Sequence, residues 1–219
     1  MIAYIIRLKN NELSERLAAD VYKAALDFNF QPEYFDAINK DNVLPFFDIN
    51  RLKIGKDKKL KSSLGTMGCF ASHYSLWHKT VTNNATSIIL EHDGVIIRDF
   101  KDIVEQVHDV CHLDPHDPYS TTYFDDVQRD GKLIVQPYRR AEDKKKQSTG
   151  GYFRGAYGYI LTPVGAQKLI NFVADKGCFT ADRTICENAV ELQQTSIACV
   201  RLHEFFDSDK KIKEHTTRF

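Results

Sequence analysis

The chain has 219 residues, 42% hydrophobic and 27% charged, and its 30 Lys and Arg balance 30 Asp and Glu. That length can bury a core as one domain or two small lobes, and the balanced charge carries no footprint of a dedicated nucleic-acid binder. No apolar run approaches the ~20 residues that span a bilayer. The five cysteines, Cys69, Cys111, Cys178, Cys186 and Cys199, form no C-x-x-C pair. They fit reduced thiols in a cytoplasmic protein better than a disulfide framework or a structural zinc.

Residues 2–8 read as a first core strand rather than a secretory signal, since the run is short and lacks a basic start. From Asn11 to Phe28, Leu13, Leu17, Val21, Ala24 and Ala25 recur near the 3.6-residue period of a helix. Gln31 to Ile38 then reads as extended, with Pro32 excluding a helix interior. This strand–helix–strand opening suggests a Rossmann-like unit without the G-x-G-x-x-G of dinucleotide binders. Residues 50–61 are basic and read as a mobile loop, either a flap over an anionic donor or a solvated charge run.

Leu64 to Val81 reads as a helix that Asn83-Asn84 ends, and Ser72 and His73 on it either contact a ligand or simply pack. Next, Ser87-Ile88-Ile89-Leu90-Glu91-His92-Asp93-Gly94 is an apolar, β-branched run ending in two acids one residue apart. It predicts a buried strand delivering carboxylates to its C-terminal end, where open α/β sheets bind ligands. Acids at i and i+2 of an extended segment point the same way and could meet one Mg²⁺ or Mn²⁺. Two solvated acids in a turn closed by Gly94 are the plainer alternative.

Phe100 to Val110 shows a helical period, while Tyr119 to Phe124 and Leu133 to Val135 read as strands. Asp125-Asp126 could form a second acid pair, and 139–150 reads as a polar, Lys-rich loop. The glycines and tyrosines from Gly150 to Leu161, Tyr157 among them, suit either a sugar or base pocket or an aromatic core strand. Thr162-Pro163 predicts a helix start, Thr162 as N-cap and Pro163 at the first position. Asp182-Arg183 precedes an apolar-periodic stretch up to Leu192 that reads as a helix. Thr195 to Leu202 reads as a strand ending in His203-Glu204, and the charged tail 207–219 as frayed.

In this order the pieces resemble glycosyltransferase family 25, the bacterial lipooligosaccharide galactosyltransferases and their collagen-modifying relatives. The resemblance rests on Gly65-x-x-Gly68-Cys69-x-x-Ser72-His73-x-x-Leu76-Trp77, then Ile88-Ile89-Leu90-Glu91-His92-Asp93, then Ala156-Tyr157-Gly158-Tyr159-Ile160-Leu161-Thr162-x-x-Gly165-Ala166. Tyr4-Ile5-Ile6-Arg7-Leu8 and Glu15-Arg16 resemble the family's opening. Two residues depart from its pattern: His92 replaces the middle acid of a triplet, and Arg7 an asparagine.

The resemblance implies an α/β fold of the GT-A-like, Rossmann-type kind, a mixed sheet flanked by helices in a single domain. Residues 1–110 would form the nucleotide-sugar half and 111–206 the acceptor half, with 207–219 as a tail. It further implies a metal-dependent, inverting transferase that moves galactose from UDP-galactose to a lipooligosaccharide or other hydroxyl acceptor. Glu91, Asp93 and His203 would hold Mn²⁺ or Mg²⁺. Arg7, Ser72, His73, Glu91, Asp93 and Tyr157 would bind the donor, and Asp182 would be the general base, with Asp93 also catalytic. The competing readings are a phage-type enzyme acting on hydroxymethylated DNA bases, using the Lys-rich loops 53–61 and 143–146, a degenerate binding domain, and a phosphate-cleaving hydrolase.

Overall fold

The computed structural model describes residues 1–116, 125–126, 130–138 and 151–203. The predicted strand 119–124, the loops 139–150 and 143–146, Glu204 and the tail 207–219 lie outside the described residues.

Alternation of side chains builds three layers. Strand β1 (Ile2–Arg7) sends Ala3 and Ile5 to one face and Tyr4 and Ile6 to the other, and β3 (Ser87–Glu91) likewise divides Ile88 and Leu90 from Ile89. Helix α1 (Glu12–Asp27) covers the first face with Ala18, Val21 and Ala25. Its cap is local: Asn11 Oδ1 accepts from Ser14 N at 2.9 Å. The second face carries α4 (Leu64–Asn83), which packs on β3 and on α2 (Val43–Ile49), α3 (Lys58–Ser62), α5 (Pro163–Lys176) and α6 (Ala181–Thr184). With neighbours on so many sides, α4 is buried over most of its surface, Phe70, Leu76 and Trp77 completely.

The seven-stranded sheet has the order β2-β1-β3-β7-β5-β8-β6, with β2 Gln31–Asp36, β5 Val110–His112, β6 Val135–Pro137, β7 Gly158–Leu161 and β8 Leu192–Thr195. β1 runs parallel to both β2 and β3, so Arg7, Asp36 and Glu91 end at one edge. β7 is antiparallel between β3 and β5, and starts at that same edge. A separate antiparallel ribbon pairs β4 (Gly94–Ile96) with β9 (Val200–Leu202). The expected α/β architecture, a mixed sheet flanked by helices, is the observed one.

Both helix signals with capping logic are in place. Thr162 Oγ1 accepts from Gly165 N at 3.0 Å with Pro163 next to it, and Asn84, at φ 47°, closes α4 in the left-handed conformation that Asn tolerates. Four other expectations are corrected. The helix expected over Phe100–Val110 is a 3₁₀ turn, Lys101–Gln106, followed by β5. The helix expected after Asp182-Arg183, up to Leu192, does not form: α6 covers Ala181–Thr184 and Leu192 opens β8 between β5 and β6. The strand expected over Thr195–Leu202 is two, β8 and β9, in different sheets. Finally, the basic stretch 50–61 is not all loop: buried Asp57 caps α3, accepting from Lys59 N and Leu60 N, while Leu60 is wholly buried.

Candidate active site

The edge where β1 and β3 end opens into a pocket lined by Ile6, Arg7, Leu8, Ala37, Ile38, Gly65, Cys69, Ser72, His73, Glu91 and His92. Its two walls are fastened through the backbone. Ser72 Oγ accepts from Ile38 N at 2.9 Å and donates to Gly68 O at 2.8 Å. A Cβ on Gly68 would stand 2.2 Å from Ile38 O, so only glycine lets α4 approach the segment after β2. Ser72 therefore spends its hydroxyl on shaping the pocket. Arg7 reaches it with Nε donating to Asp36 Oδ1 at 3.0 Å and its guanidinium 4.1 Å above the Tyr34 ring.

Glu91 sits at the strand end with a quarter of its side chain exposed, and its Oε1 receives His73 Nε2 at 3.1 Å and the Cys69 thiol at 3.6 Å. Burial alone would raise its carboxyl, but the hydrogen bond from His73, then His92 and Cys69, outweigh this and hold it below the usual range. His73 is fully buried, its Nδ1 2.9 Å from Tyr159 Oη, which also accepts from Trp77 Nε1 at 3.0 Å. Cys69 and His73, four residues apart on α4 and both in the glycine-led motif, share a face of the helix. Although Cys69 is an exposed residue, desolvation of its thiol, then Glu91 and Asp182, push that thiol up, so it stays a thiol and a donor.

Asp93 lies two residues on, in the tight turn to β4. A Cβ on Gly94 would meet Tyr157 O at 2.1 Å, which is why that turn needs glycine. Asp93 is 8% exposed, and its Oδ1 is buried without a hydrogen-bond partner. Burial is the main cause that pushes its carboxyl up to about 6, with Glu91 adding to it.

The remaining predicted residues are spread around this centre. The His203 backbone donates to Asp93 O at 2.8 Å, but its ring pairs with Asp20 Oδ2 of α1 at 3.1 Å. Tyr157 touches the site through its backbone, accepting from Glu91 N at 3.0 Å, while its hydroxyl donates to buried Asp114 at 2.9 Å. Asp182 is on α6, against α4 and close enough to Cys69 to act on its thiol; burial raises its own carboxyl. Thr180 occupies the N-cap position of α6. Among the described residues, the one trio of His, Cys, Asp or Glu with donor atoms all within 4.8 Å is Cys69, His73 and Glu91.

The model of glycosyltransferase family 25 (LPS biosynthesis protein) matches residues 1–185. A Bos taurus protein named "Probable inactive glycosyltransferase 25 family member 3" is 29% identical over 109 residues, 48% of this chain and 17% of that protein. Procollagen galactosyltransferase 1-B of Xenopus laevis is 27% identical over 176 residues, 77% of this chain and 28% of that one. The chain thus spans less than a third of the length of these two relatives. Apo mouse xyloside xylosyltransferase 1 is similar over 85% of this chain and 81% of its own, at 11% identity and a TM-score of 0.38. The match spans most of the chain and includes the pocket, both strand-end acids and Asp182: the chain belongs to glycosyltransferase family 25.

Proposed function

We propose that this chain moves a sugar from a nucleotide-sugar, UDP-galactose by family habit, to the hydroxyl of a glycan such as lipooligosaccharide, inverting the anomeric carbon. The observation that carries this reading is the buried Asp93 oxygen without a partner, two residues after Glu91, which itself lines a pocket on the ligand-binding edge of the sheet. Such an oxygen is costly unless a ligand meets it.

Glu91 and Asp93 would offer oxygen donors to a hard divalent cation, Mn²⁺ or Mg²⁺, and His203 a ring nitrogen, which in this structure faces Asp20 instead. When bound, the ion offsets charge developing on the departing diphosphate as a Lewis acid. Arg7, held by Asp36 and Tyr34, offers fixed positive charge to the donor. His73 and Cys69 keep Glu91 ionised. The acceptor oxygen bonds the anomeric carbon as the carbon–phosphate-oxygen bond breaks, and Asp182 takes the acceptor proton, its carboxyl raised by burial toward a useful base. Asp182→Asn should lower turnover about 10²-fold with donor affinity unchanged in calorimetry; unchanged turnover would remove the assignment.

A second reading, a nucleotide-sugar-binding domain without turnover, draws on His92 between the acids and on the inactive relative. The test is a panel of nucleotide-sugars in thermal-shift and calorimetric titrations with and without Mn²⁺, followed by a product assay. A ligand that binds only the native state raises its stability. Metal-dependent stabilisation by one UDP-sugar with product formed supports transfer, and stabilisation without product under any acceptor supports the binding domain. No response to any nucleotide overturns both.

A further inference from the structure

We infer that Tyr159, backed by Trp77, is a positioning residue that fixes the tautomer of His73 and, through it, the way Glu91 faces the pocket. The inference rests on the reading of Glu91 as a donor-site acid.

The argument is a count of protons. An indole N–H only donates, so Trp77 Nε1, 3.0 Å away, uses one lone pair of Tyr159 Oη. The Tyr159 ring is fully buried, and burial holds its hydroxyl protonated, far above its ordinary range. That proton needs an acceptor, and the atom within reach is His73 Nδ1 at 2.9 Å. Nδ1 is then the accepting nitrogen, and a neutral His73 carries its hydrogen on Nε2, aimed at Glu91 Oε1 at 3.1 Å. The sequence of donors is therefore indole to phenol, phenol to imidazole, imidazole to carboxylate. The Cys69 thiol adds a second donor to the same oxygen at 3.6 Å. Oε1 is occupied by protein, and Oε2 is the oxygen Glu91 offers to a ligand.

The same count assigns the compact trio of Cys69, His73 and Glu91. Its spacing would suit a soft metal, but a metal at Nε2 needs that nitrogen bare and the hydrogen on Nδ1. Tyr159 would then have two incoming donors and no acceptor for its own proton, in a place no water reaches. The trio is a hydrogen-bonded cradle for a carboxylate, and Tyr159 keeps it one.

The test uses the full chain labelled with ¹⁵N-histidine, long-range ¹H–¹⁵N spectra to read the His73 tautomer, and UDP-galactose with Mn²⁺ as the binding probe. His73→Gln identifies the resonances and is itself informative, because an amide can accept from Tyr159 and donate to Glu91. The expected results are a proton on Nε2 in the wild type, mixed tautomers in Tyr159→Phe, and a drop in probe affinity of about tenfold in Tyr159→Phe and His73→Leu. His73→Gln should stay within about threefold of wild type. A proton on Nδ1 in the wild type, or His73→Gln as weak as His73→Leu, overturns the inference. If the wild type binds no nucleotide-sugar, the reading of Glu91 fails, while the tautomer measurement still decides the role of Tyr159.

Discussion

Asp93→Asn should abolish sugar transfer, by 10³-fold or more, while making the metal-free chain more stable at pH 7. The side chains are nearly isosteric, so packing at the turn is kept, but the charge a cation would meet is gone. Stability moves the other way because a buried carboxylate with an unpartnered oxygen is unfavourable as an ion. Burial lifts its pKa from 3.8 to about 6. The folded pKa lies above the unfolded one, so the native state binds more protons between roughly pH 4 and 6, and wild-type stability falls as pH rises through that window. At about 1.4 kcal/mol per pKa unit, the full cost is on the order of 2–3 kcal/mol and is present at pH 7. Urea unfolding in chelator should show Asp93→Asn ahead by about this amount at pH 7, the gap closing toward pH 4. Retained transfer, or a variant less stable than wild type at neutral pH, would sink the account.

Asp57→Ala is expected to give the largest loss of stability, on the order of 4 kcal/mol, by combining a lost cap with buried N–H groups left without their carboxylate. Asp57 is 1% exposed and serves two segments 123 residues apart. One oxygen caps α3 through Lys59 N and Leu60 N and also meets Arg183 at 3.5 Å; the other accepts from Thr180 N at 3.0 Å. Alanine leaves several buried donors without an acceptor and frees the segment that carries Asp182. Asp57→Asn, which keeps an oxygen for the cap, should lose about half as much. Chemical denaturation of both variants checks the order, and an alanine variant within 1 kcal/mol of wild type would refute the tie.

The elements legible in the sequence were those whose signal is local. α1, α4 and α5 carry a 3.6-residue period and side-chain caps, and β3 is a long apolar run. The misread elements are short and held by distant partners. Phe100, Ile103, Val104 and Val107 do fall on a helical face, and all are buried, yet Val110 pairs with Leu161 and Leu192 instead of extending that helix. A three-residue strand has no period to read. At the site, the acids at 91 and 93 and the Ser72–His73 pair were visible as residue types, but their partners were not. Nothing near Asp57 in sequence announces Thr180, and nothing near His73 announces Tyr159, because the start of α3 meets the start of α6, and α4 meets β7, only in the folded chain.

The sheet order also sets a schedule for the chain as it is made. β3 pairs with β1 on one side as soon as residue 91 is available, but its other edge waits for β7, about 67 residues later by the positions of Glu91 and Gly158. At synthesis rates of roughly 5–20 residues per second, the interval is about 3–13 s. For that time Ile88, Ile89 and Leu90 present an open apolar strand, the kind of template that pairs with other chains. Any piece of the protein that ends before residue 158 keeps that exposed edge permanently.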